Sequence, residues 1–75
     1  MQYKTSDIVL AAYLSLIGAE LKEIQKASST KGVFVFHNVV EQIIDDFLLG
    51  KAKVEPISFN NELRRLVTAV KAKAK

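Results

Sequence analysis

The sequence predicts a small α+β domain with elements in the order helix, strand, strand, helix, helix, in which one β-hairpin packs on three helices. Three observations predict it: an apolar segment closed by a glycine, a strand with alternating aromatics, and two later stripes of helical period. We assign residues 1–75 to one domain, with an ordered core at about 5–70 and a frayed lysine-rich tail at 71–75.

The first predicted helix covers residues 7–17. Ser6 is placed to cap it, Asp7 suits its positive N-terminal end, and Gly18 can close it in a left-handed turn. The segment "IVLAAYLSLI" is apolar on nearly every side. Such a helix lies at the centre of a fold or has a second apolar surface to cover.

Two strands are predicted at residues 20–26 and 33–37, joined by the loop "ASSTKG". In the second strand Val33 and Val35 share one face and Phe34 and Phe36 share the other. In the first strand, "ELKEIQK", the leucine and the isoleucine fall on opposite faces unless a bulge shifts the register.

The segment "TKGVFVFHN" resembles one half of an RNA-binding signature, in which aromatics on a strand stack on bases. The neighbouring strand offers no aromatic residue, and Phe34 and Phe36 are two of only four phenylalanines in the chain. We therefore predict that both pack inward as core residues, with base stacking as the alternative.

Two helices follow in the second half of the chain. Asn38 is predicted to cap the first, with Glu41 completing a capping box, and Gly50 ends it. Pro56 is predicted to start the second, with a cap at Ser58 as the alternative. The apolar stripes of the two helices are Val40, Ile43, Ile44, Phe47 and Leu48, and then Phe59, Leu63, Leu66, Val67 and Val70.

Three segments resemble a known family: "KTSDIVLAAYLSLIGAELKEI", "GVFVFHN" and "KVEPISFNNELRRL". Together they are similar to small prokaryotic and phage proteins grouped as domain of unknown function 5659, over Lys4 to about Val70. The matching positions are Thr5, Ser6, Asp7, Ala11, Ala12, Tyr13, Leu14, Phe34, Phe36, Val54, Pro56, Phe59, Arg64 or Arg65, and Leu66. Glu55 stands where the family has aspartate. The resemblance implies a phage or mobile-element setting and no particular activity.

The residue inventory argues against catalysis. The chain has no cysteine and one histidine, His37, which the predicted topology separates from the loop residues Ser28, Ser29 and Thr30. His37, Glu41 and Asp45 form only a weak metal-ligand set, and no glycine-rich phosphate loop is present. We expect a protein that is not an enzyme and that needs no cofactor or metal.

Charge is distributed unevenly along the chain. Residues 39–50 sum to −3 and residues 51–75 to +5, within a net charge of +3. Basic side chains can neutralise phosphates, and asparagines can contact bases or backbone. The alternative function is therefore sequence-independent nucleic-acid binding by the basic C-terminal helix. Its candidate residues are Asn60, Asn61, Arg64, Arg65, Lys71 and Lys73.

The apolar fraction, 49%, is high for a domain of this size. With an open hairpin edge, it favours self-association, as a homodimer or larger, or contact with a protein partner, and a compact monomer with the first helix at its centre is the alternative. No apolar run approaches the ~20 residues of a membrane helix, and no signal-peptide pattern begins the sequence. We expect a cytoplasmic accessory or assembly protein that acts through protein–protein contacts.

Overall fold

A computed structural model describes residues 2–26 and 31–73, and the side chains of these residues as far as residue 72. Its elements are β1 (Tyr3–Thr5), α1 (Ile8–Leu16), β2 (Glu20–Lys26), β3 (Gly32–His37), α2 (Glu41–Leu48) and α3 (Pro56–Lys73). The predicted α+β class is confirmed. Ser28, Ser29 and Thr30 of the predicted loop lie outside the described residues.

The sheet has three antiparallel strands in the order β1-β3-β2, where the sequence predicted a two-stranded hairpin. The missed strand, β1, pairs Tyr3 with Phe36 and Thr5 with Phe34. Three residues are too few to show a period, so only the pairing to β3 reveals this strand. Among the described residues, β1 begins at Tyr3 and α3 extends to Lys73.

Strand β2 contains the β-bulge that is needed to bring its leucine and its isoleucine to the same face of the sheet. The register shifts between Leu21 and Glu23, so that Leu21 pairs with Phe36 and Ile24 pairs with Phe34. The extra residue, Lys22, places both apolar side chains of β2 on the face that carries the two phenylalanines. Both are half-buried against the core.

The start of α1 differs from the prediction, because its cap is Asp7 and not Ser6. The Asp7 carboxylate accepts hydrogen bonds from the backbone N–H of Val9 at 2.9 Å and of Leu10 at 3.3 Å. At the other end Gly18, at φ +98°, closes the helix as predicted. The N–H of Ala19 donates to the carbonyl of Leu14, which completes a Schellman turn.

The cap of α1 can be tested by mutation. Asp7→Ala should lower the free energy of unfolding by about 1 kcal/mol, because two N–H groups of the first turn lose their acceptor. Ser6→Ala is the matched control and should leave that free energy nearly unchanged. Urea unfolding followed by circular dichroism measures both, and equal losses in the two variants would contradict the assignment.

Asn38 does not cap α2, which corrects the predicted capping box. It lies at φ +62°, a left-handed conformation that asparagine tolerates, and turns the chain at the end of β3. Its amide donates to Glu20 Oε2 at 3.3 Å. The N-cap position is Val40, which supplies no side-chain hydrogen bond. Gly50, at φ +74°, ends the helix as predicted, in a second Schellman turn.

The third helix starts at Pro56, as predicted, and Ser58 lies within it. Glu55 fills the capping role, since its Oε2 accepts a hydrogen bond from the Ser58 N–H at 2.7 Å. The glutamate side chain is therefore long enough to reach the first turn.

The core lies between one face of the sheet and the helices. It contains Leu10, Ala11, Ala12, Tyr13, Leu14, Phe34, Phe36, Val39, Ile44 and Leu66. Phe34 is 1% exposed and Phe36 is fully buried, so the prediction that they pack inward is confirmed. The central position of α1 is confirmed as well, because its residues 10–14 are all buried.

Helices α1 and α3 run antiparallel across this core. Ser15 near the end of α1 contacts Glu62, and Ile8 at its start lies beside Val70 near the end of α3. Gly32, the first residue of β3, lets α3 approach the sheet closely. A Cβ atom at this position would lie 3.1 Å from Val70 Cγ2, which is tighter than an ordinary contact.

Candidate interaction surfaces

The C-terminal end of α2 carries an exposed apolar pair. Leu48 is 69% exposed and Leu49 is 66% exposed. The sequence placed Leu48 in the same stripe as Ile44 and Phe47, but only the latter two pack on the core. Val40, also in that stripe, is 58% exposed, because it precedes the first helical residue. The apolar stripe of α2 is thus narrower than predicted, and its two ends face solvent.

Charged residues of both signs flank the apolar pair. Asp45 lies one turn before Leu49, and Lys51 is the last residue of the Schellman turn, where its N–H donates to the carbonyl of Asp46. Both are exposed, and neither has an ion-pair partner within the described part of the chain. The carboxylate of the neighbouring residue, Asp46, accepts a hydrogen bond from Gln42 at 2.9 Å. The surface is therefore apolar at its centre, with an unpaired acid on one side and an unpaired base on the other.

The outer side of α3 forms a second candidate surface. Asn60, Arg64 and Lys71 recur at spacings of four and seven, so they lie along one line of the helix, and all three are exposed. Arg64 and Lys71 form no ion pair among the described residues. Asn61 is exposed on the adjacent line. The helix includes Lys73, whose side chain lies outside the described part.

Arg65, the remaining candidate on α3, is engaged by its own chain. Its Nε donates to Glu62 Oε1 at 2.7 Å, and its Nη2 donates to Ser15 Oγ at 3.1 Å. Ser15 Oγ also donates to Glu62 Oε1 at 3.0 Å. The Arg65 guanidinium, mainly through its hydrogen bond, lowers the pKa of the Glu62 carboxyl, although partial burial opposes that shift. These three side chains join α1 to α3, which the sequence alone did not predict.

This contact makes the free energy of unfolding depend on pH in the acidic range. Because the pKa of Glu62 is lowered in the folded state, its contribution is present above the ordinary glutamate pKa of about 4.3 and is lost as pH falls through the folded value. Glu62→Gln should cost up to about 1 kcal/mol at pH 7, because Arg65 is largely exposed. In urea unfolding, the difference from wild type should shrink as the pH falls below the ordinary glutamate pKa of about 4.3. A constant difference from pH 7 to pH 3 would contradict the assignment.

Within residues 2–26 and 31–72, the candidate metal ligands do not form a metal-binding group. No cluster of three metal-ligating side chains occurs in residues 2–26 and 31–72. His37 pairs across the sheet with Glu20, whose carboxylate binds Lys22 Nζ at 2.6 Å. The hydrogen bond and charge of Lys22, with a smaller effect of His37, lower the pKa of Glu20. None of these contacts joins His37 to Glu41 or Asp45.

The hollows described on the surface are shallow. One of about 330 Å³ lies along the bulge and is lined by the β2 residues Leu21, Lys22, Glu23 and Ile24. Another of about 130 Å³ lies between the start of α1 and the end of α3, which is small beside ordinary ligand pockets. Among the described residues, no helix combines the length and the apolar character needed to cross a membrane.

Fold and surfaces together define a small α+β domain of three helices and a three-stranded antiparallel sheet. The chain belongs to the family described as Domain of unknown function (DUF5659), whose family model matches residues 1–71. No curated protein and no solved structure matches it.

Proposed function

We propose that this protein is a small non-enzymatic accessory or assembly protein that acts through protein–protein contacts at the exposed end of α2. The exposed pair Leu48 and Leu49 carries the proposal, because these side chains stay in solvent although the domain has a filled core. Adjacent exposed leucines are typical of contact surfaces more than of an inert helix end. The absence of cysteine fits a cytoplasmic setting, and the family resemblance suggests a phage or mobile-element origin.

The double variant Leu48→Ser/Leu49→Ser tests this function. For the wild-type protein, light scattering should show self-association, or chemical cross-linking in the native cell extract should show a captured partner. Both should be lost in the double variant while the circular dichroism spectrum stays unchanged. Ile17→Ser, at a 40% exposed position at the end of α1, is the matched control and should keep the interaction. A monomer with no leucine-dependent contact would exclude the proposal.

Sequence-independent nucleic-acid binding by α3 is the second candidate. The line of Asn60, Arg64 and Lys71 favours it, because this line contains no acidic residue and two bases that form no ion pair with the described residues. Backbone contacts of this kind are independent of sequence and weaken with salt. Phe34 and Phe36 take no part, because they are buried.

Fluorescence anisotropy with labelled single- and double-stranded oligonucleotides tests the second candidate. Two phosphate contacts predict roughly a tenfold loss of affinity between 50 and 200 mM salt. Arg64→Ala/Lys71→Ala should weaken binding of every sequence to a similar extent. The control Lys22→Ala changes a lysine that is already paired with Glu20. Absence of binding at tens of micromolar protein would exclude this function.

A further inference from the structure

We propose that α2 is a detachable cover on the core, which opens and unwinds as a unit while the sheet, α1 and α3 stay folded. The helix unwinds when it leaves the core, because an isolated helix of eight residues is not stable in water. The inference concerns a motion of α2 and does not rest on the contact function proposed for its exposed leucines.

Few apolar contacts attach α2 to the core. Of its eight residues only Ile44 is buried, and Ile43 and Phe47 are half-buried beside it. The Phe47 ring lies 5.4 Å from that of Tyr13 on α1. Helix α1, of nearly the same length, buries residues 10–14 without a break. Detaching α2 therefore exposes much less apolar surface than unfolding the domain.

No hydrogen bond reinforces this attachment within residues 2–26 and 31–72. The side-chain bond from Gln42 to Asp46, at 2.9 Å, lies inside α2. The backbone N–H groups of Leu49 and Lys51 donate to the carbonyls of Asp45 and Asp46, so these bonds also stay within the segment. Helices α1 and α3, by contrast, are joined by side-chain hydrogen bonds among a serine, a glutamate and an arginine.

Both ends of α2 permit it to leave the core alone. At its start Val40 provides no side-chain acceptor, so the first turn lacks the cap that α1 has. At its end Gly50 turns the chain at φ +74°, and residues 51–55 belong to no helix or strand. The buried Val39 before α2 and the half-buried Val54 after it hold the flanking chain on the core. Strand β3 and helix α3 can therefore keep their places while α2 opens.

Opening uncovers part of the core. Tyr13 is 8% exposed while the Phe47 ring lies against it. In the open form both rings and the Ile44 side chain reach solvent, close along the chain to Leu48 and Leu49. The open form therefore presents a larger apolar surface than the leucine pair alone, and α2 controls access to it.

Native-state hydrogen exchange measures this opening. The amides of Leu49 and Lys51 report on α2, and those of β3, the central strand, report on global unfolding. We expect the α2 amides to exchange at least about a hundredfold faster than the slowest β3 amides, after correction for intrinsic rates. Their exchange should also depend only weakly on sub-denaturing urea, because the opening exposes little surface.

Two variants separate the local opening from global unfolding. Asp7→Ala removes the cap of α1, which stays in place when α2 alone opens. It should speed exchange of the β3 amides about fivefold and leave the α2 amides unchanged. Val40→Ser, at an exposed position, supplies the cap that α2 lacks and should slow exchange of the α2 amides about threefold.

Three outcomes would overturn the proposal. Equal rates and equal urea dependence for α2 and β3 would show that α2 opens only with the whole domain. An Asp7→Ala effect of the same size on both groups of amides would show the same. Unprotected α2 amides in the wild-type protein would show that α2 is not closed on the core. Because these measurements leave Leu48 and Leu49 unchanged, they do not decide the proposed contact function, which the double serine variant tests separately.

Discussion

Phe36→Ala is expected to lower the free energy of unfolding by about 3–5 kcal/mol, which is most of the stability of a domain of this size. Phe36 is fully buried on the central strand, between Tyr3 of β1 and Leu21 of β2. Removing its ring leaves a cavity at the junction of all three strands, which the surrounding backbone can fill only partly. Urea unfolding monitored by circular dichroism measures the loss.

Two comparisons sharpen this prediction. Phe36→Leu should cost less, because it retains most of the apolar volume. Val33→Ala, at a half-buried position on the opposite face of the same strand, should cost less than Phe36→Ala. If Phe36→Ala unfolded at the same denaturant concentration as wild type, the ring could not lie in the core and base stacking on β3 would return as a hypothesis.

Leu66→Ala is expected to lower the free energy of unfolding by about 2–5 kcal/mol. Leu66 is the fully buried residue of α3 and fixes that helix on the core beside α1. Its loss removes apolar contacts at the centre of the longest helix, so the unfolding midpoint should fall strongly. Chemical denaturation again provides the measurement.

Leu48→Ala is the matched control, since it makes the same chemical change at a position that is 69% exposed. Its effect on the free energy of unfolding should stay within about 0.5 kcal/mol, measured at protein concentrations well below self-association. The same variant should weaken the interaction proposed for α2, which separates residues that hold the fold from residues that contact a partner. Similar losses of stability at both positions would contradict the burial pattern.

Several features follow from the sequence because they depend on neighbouring residues alone. The helical periods between Asn38 and Gly50 and from Pro56 to Val70, the alternation around Phe34 and Phe36, and the chain reversals at Gly18 and Gly50 are local properties. The need for a bulge in β2 was also visible, because Leu21 and Ile24 are an odd number of residues apart. These observations were enough for the fold class and for most of the core.

The candidate surfaces were only partly visible in the sequence. The bases of α3 could be placed on its outer side from their spacing, but the engagement of Arg65 could not. Its partner Ser15 lies 50 residues away, and only the antiparallel packing of α1 and α3 brings the two together. The exposure of Leu48 could not be predicted either, because a leucine at helical spacing gives the same sequence pattern whether or not another element of the fold covers it.

By itself the sequence determined where the helices and the two longer strands form, and which faces of them are apolar, because side-chain period and local backbone preference fix both. Only the tertiary structure decided the third strand, the cap at Asp7 and the role of Asn38. Strand pairing joins residues about 30 positions apart, and Ser, Asp and Asn are all good local hydrogen-bonding residues. Their final partners depend on how the chain is brought together in space, which no local pattern specifies.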